Sequence, residues 1–254
     1  MVWNPNIYNK FKSERAAPFY DLLALVKPAE NMKVIDLGCG TGELTKTLCD
    51  KLPGATVTGI DFSAEMLVNA AAMENERLHF EVKTIERQLE SNETWDLVFS
   101  NAAIQWVDNH EQLLPGIISS VNKGGQLAIQ MPAQHHNKTN IILNELADEA
   151  PFKQQLKDFK RISPVLDIDR YAEILFENGA VAITAFEKIY PLILPDINAL
   201  YNWVSGTALI PYIERLDEGS KEMFIETYKE RLGKAFKNRP VFYPFKRILL
   251  HGQF

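Results

Sequence analysis

The stretch Val34-Ile-Asp-Leu-Gly-Cys-Gly-Thr-Gly42 places three glycines at alternate positions directly after an apolar run. Glycine lets the backbone turn tightly and approach a ligand closely. A second apolar run, Thr56-Val-Thr-Gly-Ile60, follows and ends in the acid Asp61. The order of strand, glycine-rich turn, helix, strand and acid is typical of a nucleoside-binding βαβ unit, in which the second acid accepts hydrogen bonds from a ribose. The chain is therefore expected to bind a cofactor that contains adenosine.

The spacing of the glycines discriminates between cofactors. A dinucleotide loop reads G-x-G-x-x-G and offers a helix N-terminus to a pyrophosphate. Here the glycines are Gly38, Gly40 and Gly42, and Asp36 before them would repel a pyrophosphate but suits a cationic group. No Gly-Lys-Ser/Thr follows, which argues against a P-loop. The string Asp36–Gly42 resembles the first motif of the class I S-adenosylmethionine (SAM) methyltransferases, which implies that the loop packs against the methionine part of SAM and that Asp61 holds its ribose.

The composition is that of an ordinary globular protein. Of 254 residues 46% are apolar and 24% charged, and the net charge of −6 argues against a general binder of nucleic acid or membrane surfaces. No apolar run approaches the ~20 residues that span a bilayer, and the N-terminus lacks the layout of a secretory signal. Cys39 and Cys49 do not form a paired framework, which favours a reducing cytoplasm. Neither has a ligand-spaced partner, which argues against a metal site. A monomer or a weak homodimer is expected.

Apolar runs alternate with helical patterns up to about Pro132. This alternation predicts an α/β fold: a doubly wound, mostly parallel, seven-stranded Rossmann-like sheet in a single domain, 1–254. The predicted strands are Met32–Asp36, Ala55–Asp61, Leu78–Val82, Trp95–Asn101, Gln126–Met131, Ala180–Tyr190 and Phe242–Gly252. The predicted helices cover 11–26, Glu43–Lys51, a segment capped by Ser63, Glu111–Val121 and Asp169–Asn178. Lys-Gly-Gly at 123–125 is interpreted as the stop of the helix before it.

The pattern changes beyond Pro132. The segments 133–165 and 195–238 are helical in character and too apolar to be linkers, and they interrupt the order of strands. They are expected to form helical cap insertions above the cofactor. The N-terminal segment 1–30 is expected to fold over the cofactor as a lid, as in many methyltransferases that act on small molecules.

Motifs outside the glycine loop extend the resemblance over nearly the whole chain. In order they are Trp3-Asn-Pro-x-x-Tyr8, Ser13-Glu-Arg15, Gly59-Ile-Asp-x-Ser63, Asn101-Ala-x-x-Gln-Trp106, His110, Gln130-Met-Pro132, Trp203-Val and Phe245-x-Arg247. Together they resemble the trans-aconitate 2-methyltransferases, SAM-dependent enzymes that esterify a carboxylate of a small tricarboxylic acid. Two positions differ, since Ala17 and Ile210 stand where that pattern carries arginines, the natural partners of carboxylates.

The resemblance implies a set of residues around SAM. Tyr8 would contact the methionine end and Arg15 its carboxylate. Phe62 and Met66 would pack on the adenine, and the backbone after the third strand would read its edge. The predicted cofactor-binding residues are Tyr8, Arg15, Asp36, Gly38, Cys39, Gly40, Asp61, Phe62, Met66, Thr84, Ile85, Asn101 and Ala102.

The methyl acceptor is expected beyond the fourth strand, because open α/β sheets bind ligands at the carboxyl ends of their strands. The predicted acceptor contacts are Gln105, Trp106, His110 and Arg247. A carboxylate is already ionised near pH 7, so its methylation by in-line displacement requires orientation and desolvation rather than a catalytic base. No catalytic residue is therefore predicted, and the expected partner is a small-molecule carboxylate.

Two other functions stay open at this point. The chain could methylate a malonyl thioester on a carrier protein or coenzyme A, as in biotin synthesis, with the late basic residues as a docking surface. It could instead bind SAM without catalysis, which an intact glycine loop and a built acceptor lid disfavour. A dehydrogenase is disfavoured by the glycine spacing and by Asp36.

Overall fold

The computed structural model describes residues 12–206 and 208–254, and the side chains of 12–15 and 135 lie outside this description. The strands are β1 Lys33–Leu37, β2 Thr56–Asp61, β3 Leu78–Val82, β4 Trp95–Asn101, β5 Val121–Pro132, β6 Ala182–Leu194 and β7 Val241–Gln253. They form a seven-stranded sheet of order β3-β2-β1-β4-β5-β7-β6. Strands β1 to β5 pair in parallel, and β7 runs antiparallel to β5. The predicted doubly wound, mostly parallel sheet is confirmed.

Helices connect the strands. Their bounds are α1 Lys12–Leu23, α2 Glu43–Lys51, α3 Ala64–Leu67, α4 Ile85–Leu89, α5 His110–Ser119, α6 Lys138–Ala147, α7 Phe152–Gln155, α8 Ile168–Glu177, α9 Ile197–Ser205, α10 Ile210–Ile213 and α11 Glu218–Ala235. Short 3-10 turns cover Ala70–Met73, Ile104–Trp106 and Gln134–His136. Parallel strands need such crossovers, and the crossovers bury the sheet.

The central strands are buried along most of their length because helices cover them. In β4, Leu97, Val98 and Phe99 are fully buried. The ring of Phe19 in α1 packs edge-on against Phe99 with centroids 5.6 Å apart. Since β1 to β5 all run in the same direction, their carboxyl ends meet at one edge of the sheet.

The described residues divide into two compact units. The sheet unit contains Ala16–Pro132, Pro164–Lys188 and Arg247–Phe254. The helical unit consists largely of Ala133–Ser163 and Ile189–Lys246 and has a hydrophobic core of its own. The largest fully buried side chains of that core are Tyr212, Tyr228 and Phe224. Burial of such aromatic side chains contributes strongly to the stability of a unit of this size.

Some element boundaries differ from the prediction. Helix α5 ends at Ser119 and β5 begins at Val121, so Lys-Gly-Gly lies inside the strand and does not stop the helix. The strand begins this early because Val121 already pairs with Trp95 of β4. The pairing of β4 with β5 then shifts in register before Gln126, and Gly124, at φ +84°, lies within this irregular stretch. Helix α4 was not predicted, because five residues are too few for a helical period to show. Within the described ranges, no helix is long and apolar enough to cross a lipid bilayer.

Candidate active site

The glycine loop after β1 is tied to the end of β2 by backbone hydrogen bonds. The N–H groups of Gly38 and Cys39 both donate to the carbonyl of Ile60, at 2.9 Å each. The carboxylate of Asp61 accepts the N–H of Gly40 on one oxygen and the N–H of Ser63 on the other, each at 2.9 Å. Each carboxylate oxygen has a further lone pair. Asp61 is therefore held in one orientation and can still accept hydrogen bonds from a diol.

Two glycines explain the shape of the loop. Gly40 has φ +57°, and a Cβ built on it would meet nothing within 4 Å, so open space lies beside its backbone. Gly38 has φ +78°, and a Cβ there would lie 2.2 Å from the Cβ of Ala103. The loop thus touches the segment after β4 on one side and faces open space on the other. This cradle, together with the Asp61 carboxylate, fits the ribose and adjoining part of a nucleoside cofactor.

Asp36 at the end of β1 is 3% exposed. Its carboxylate accepts a hydrogen bond from the Thr45 hydroxyl of α2 at 2.7 Å. Burial raises the pKa of Asp36 to about 7; the Thr45 hydrogen bond opposes this shift and the nearby Asp61 adds to it. An ionised Asp36 in this position is costly without a neighbouring cation, and the sulfonium of SAM is a cation.

Cys39 lies in the same loop but turns into the protein. It is 9% exposed and packs in a small cluster with Leu67 and Ala70. Burial raises the pKa of its thiol well above the usual range. Its predicted contact with the cofactor is thus restricted to backbone atoms.

Two of the residues predicted at the adenine end line an open depression of about 540 Å³. Phe62, which is 75% exposed, and Thr84 both line it. Met66 is half-buried in α3, and Ile85 is buried. The Thr84 hydroxyl caps α4 by accepting the N–H of Arg87 at 3.2 Å, so its backbone is fixed. Lys83 lines the same depression and was not singled out from the sequence.

At the end of β4, Asn101 pairs in register with Gln130 of β5. Ala102 follows with φ +57°, a left-handed conformation that is unusual for a residue other than glycine. Its N–H donates to the Gln130 carbonyl at 2.8 Å. Among the described residues, Asn101 Oδ1 and Gln130 Nε2 are buried polar atoms without a hydrogen-bond partner. Such atoms are rare in native structures, and a bound group is one explanation for them.

The turn Ile104–Trp106 carries two of the predicted acceptor contacts. Gln105 is 3% exposed and donates through Nε2 to the Ala102 carbonyl at 2.6 Å. Trp106 is 42% exposed, a large fraction for a side chain of that size. The turn therefore presents an indole to solvent next to a fixed carboxamide.

His110 begins α5 and is 1% exposed. Its Nε2 lies 2.9 Å from the carbonyl oxygen of Ile104, and its Nδ1 is hydrogen-bonded to the hydroxyl of Tyr171. Burial lowers the pKa of the imidazole. Both ring nitrogens are thus engaged inside the protein, so direct contact between His110 and an acceptor would require these bonds to break.

Arg247 lies in β7 opposite Pro132 of β5 and is 7% exposed. Its Nη1 donates to Gln130 Oε1 at 2.9 Å. Gln130 was not predicted as a site residue. Its position as a polar residue inside the apolar strand Gln126–Met131 could have indicated one. Tyr8 lies outside the described residues, and of Arg15 only the backbone, within α1, is described.

All predicted site residues with a described side chain lie in the sheet unit, at or near the carboxyl ends of β1 to β5 or on β7 beside β5. The described residues contain no group of three or more metal-ligating side chains close enough to hold an ion. The arrangement therefore offers a nucleoside cradle, a buried acid beside it and an exposed aromatic turn.

Comparison with known proteins identifies the family. Residues 28–179 match the family model described as a methyltransferase domain. The chain is 42% identical over 255 residues to a trans-aconitate 2-methyltransferase of Deinococcus radiodurans, which covers 98% of this chain and 97% of the relative. It is 35% identical over 251 residues to the trans-aconitate 2-methyltransferase of Variovorax paradoxus, which covers 97% and 94%.

A solved structure shares the fold. Phosphoethanolamine N-methyltransferase 2 of Haemonchus contortus, in complex with S-adenosyl-L-methionine, superposes with a TM-score of 0.56 at 16% identity, covering 92% of this chain and 51% of that chain. The near full-length relatives confirm the family that the sequence predicted. The chain belongs to the trans-aconitate 2-methyltransferase family of SAM-dependent methyltransferases.

Proposed function

We propose that the enzyme transfers the methyl group of SAM to a carboxylate oxygen of a small organic acid, with trans-aconitate or a close analogue as acceptor. The observation that carries the proposal is the similarity to curated trans-aconitate 2-methyltransferases over 98% of the chain.

The cofactor supplies an activated methyl group on a sulfonium when it is bound. The residues proposed to hold it are those of the cradle: Asp61 accepts hydrogen bonds from the ribose hydroxyls, and the backbone of Gly38 and Gly40 lies along the methionine part. Phe62 and Met66 pack on the adenine, and the backbone at Thr84 and Ile85 contacts its edge. Asn101 offers its buried Oδ1 as an acceptor to the amino-acid end.

The side chains near the acceptor turn support a reaction that needs no base. His110 is bonded at both ring nitrogens, and the pKa of the Cys39 thiol is raised by burial. A phenol or amine acceptor requires a group that removes its proton, whereas a carboxylate does not. The enzyme then acts by orientation and desolvation, as predicted from the sequence.

Charge pairing selects the acceptor in this proposal. Arg247 is a buried guanidinium whose Nη1 is oriented by Gln130. A planar guanidinium matches a carboxylate with two parallel hydrogen bonds. Gln105 and Trp106 form the wall beside it.

The proposal extends to the setting of the reaction. Cys39 and Cys49 are buried free thiols, which agrees with a reducing cytoplasm. The partner is a small molecule rather than a nucleic acid or a membrane, and the enzyme acts as a monomer or weak homodimer. The net charge of −6 supports this choice.

The test is methyl transfer from isotopically labelled SAM to trans-aconitate, to related di- and tricarboxylates and to malonyl thioesters. Base-labile label on a free polycarboxylate supports the proposal, because a methyl ester hydrolyses in base. Transfer to a malonyl thioester alone would replace it with the biotin-pathway reaction. Bound SAM without transfer to any of these acceptors would refute the proposed acceptor class and leave the cofactor in place.

A further inference from the structure

A buried relay of hydrogen bonds reaches the acceptor turn from two helices of the sheet unit. It starts at the backbone N–H of Leu166, which donates to the Tyr171 hydroxyl at 3.1 Å. That hydroxyl bonds His110 Nδ1, and His110 Nε2 meets the carbonyl oxygen of Ile104 at 2.9 Å. Tyr171 and His110 are 0% and 1% exposed. No residue of this relay other than His110 was predicted from the sequence.

The hydrogen-bonding groups around His110 determine which of its ring nitrogens carries the hydrogen. A carbonyl oxygen only accepts, so Nε2 of His110 carries the hydrogen and donates it to Ile104. In a neutral imidazole the other nitrogen then accepts, and it takes the proton of the Tyr171 hydroxyl in preference to the weakly accepting sulfur of Met131 at 3.5 Å. Burial lowers the pKa of His110, which agrees with the neutral ring.

The turn that receives this relay is not a low-energy turn by itself. It follows Ala102, whose φ is +57°, and Ala103, whose φ of −120° and ψ of −49° lie outside the common helix and strand regions. A backbone of this kind persists only when its surroundings determine it. The Ile104 carbonyl accepts both His110 Nε2 and the N–H of Val107 at 2.9 Å. The relay therefore holds the centre of the turn.

We propose that Tyr171 and His110 are positioning residues of the acceptor site, which fix the Ile104–Trp106 turn and thereby the places of Gln105 and Trp106. This inference rests on the proposed function, in which these two side chains wall the acceptor. His110 takes part in neither proton transfer nor acceptor binding. Its role is to carry the constraint from Tyr171 in α8 to the turn.

The first test compares Tyr171→Phe with Ser120→Ala. Ser120 is half-buried and directly precedes β5, at the opposite end of the parallel strands from the acceptor turn, and its hydroxyl donates to the Ile117 carbonyl at 2.7 Å. Each variant loses one neutral hydrogen bond within the sheet unit, so similar decreases in Tm are expected. Only Tyr171→Phe should raise the KM for the acceptor, by about fivefold, which corresponds to one neutral hydrogen bond. The Kd for SAM should stay within about twofold in both variants.

Two histidine variants separate positioning from acid-base chemistry. The Nε2 of glutamine can occupy the place of the imidazole Nε2, so His110→Gln keeps the donor to Ile104 and should retain a lower acceptor KM than His110→Ala. The pH profile of kcat/KM should keep its wild-type shape in His110→Gln. Loss of an ionisation from that profile would identify His110 as a titrating catalytic group and overturn the proposal.

A readout without any acceptor uses the wild-type protein. The ring ¹⁵N shifts of His110 should report a neutral Nε2–H tautomer from pH 6 to 8. The Nδ1–H tautomer would leave Nε2 without the hydrogen that it donates to the Ile104 carbonyl, and it would refute the inference. Equal acceptor KM values in Tyr171→Phe and Ser120→Ala would also refute the inference. Absence of methyl transfer to carboxylates by the wild-type enzyme would instead refute the proposed function, which the NMR signal does not depend on.

Discussion

Replacing Asp36 by asparagine should stabilise the ligand-free protein at neutral and alkaline pH. The carboxyl of Asp36 is 3% exposed, and burial raises its pKa from 3.8 to about 7. Because the folded-state pKa is raised, the folded protein holds this proton more tightly than the unfolded chain. The charged form is therefore a cost to folding, absent below about pH 4, growing between pH 4 and 7 and complete above pH 7.

The size of the effect follows from the shift. A difference of about three pKa units at 1.36 kcal/mol per unit gives an upper limit of about 4 kcal/mol. Asparagine keeps the shape and one acceptor oxygen for the Thr45 hydroxyl, which donates at 2.7 Å. The free energy of unfolding of Asp36→Asn, relative to wild type, should accordingly rise between pH 4 and pH 8.

The assay is urea denaturation without ligand at a series of pH values, followed by circular dichroism. Asp50→Asn is the matched control, since Asp50 is an exposed carboxylate paired with Lys46 on the next helix turn and should leave the pH dependence as in wild type. Parallel stability curves for Asp36→Asn and wild type from pH 4 to 8 would refute the reasoning. So would a variant that is less stable than wild type at pH 8.

The same site yields three binding predictions. Asp61→Ala removes the carboxylate that accepts hydrogen bonds from the N–H groups of Gly40 and Ser63. Calorimetry should therefore show SAM binding weakened by at least about tenfold. An unchanged affinity for SAM would mean that Asp61 is not part of the cofactor site. Trp106→Ala should raise the acceptor KM several-fold and leave the Kd for SAM unchanged, whereas a parallel loss of both would place the indole against the cofactor. Arg247→Ala should raise the acceptor KM by about tenfold or more, as expected for the loss of a charged hydrogen bond. Arg247→Lys should recover part of the lost acceptor affinity. If steady-state kinetics give Arg247→Ala the acceptor KM of wild type, Arg247 does not belong to the pocket.

The glycine loop could be recognised from sequence because its constraints are local. Gly38 and Gly40 need positive φ within a few residues of the strand that precedes them, and Asp61 follows the next strand directly. The contacts that complete the site are not local. Gln130 meets Arg247 across 117 positions, and Tyr171 meets His110 across 61.

The direction of side chains was the second feature of the site that the sequence could not predict. Cys39 lies in the predicted loop, yet its thiol packs inward against Leu67. His110 was predicted from the sequence as an acceptor contact, and only the structure shows that it is buried with both ring nitrogens engaged inside the protein. A spacing pattern specifies where a residue lies along the chain, and packing decides which way it points.

The close approach of Gly38 to Ala103 sets a limit on redesign of this enzyme. A Cβ on Gly38 would lie 2.2 Å from that of Ala103, so the cofactor loop and the segment leading into the acceptor turn are in close contact, with no room for a larger side chain between them. A larger side chain at position 103, introduced to reshape acceptor choice, would therefore press on the loop that holds SAM. Variant libraries at position 103 should lose cofactor affinity before they gain a new acceptor. Altered specificity is more accessible from Trp106, whose side chain is 42% exposed.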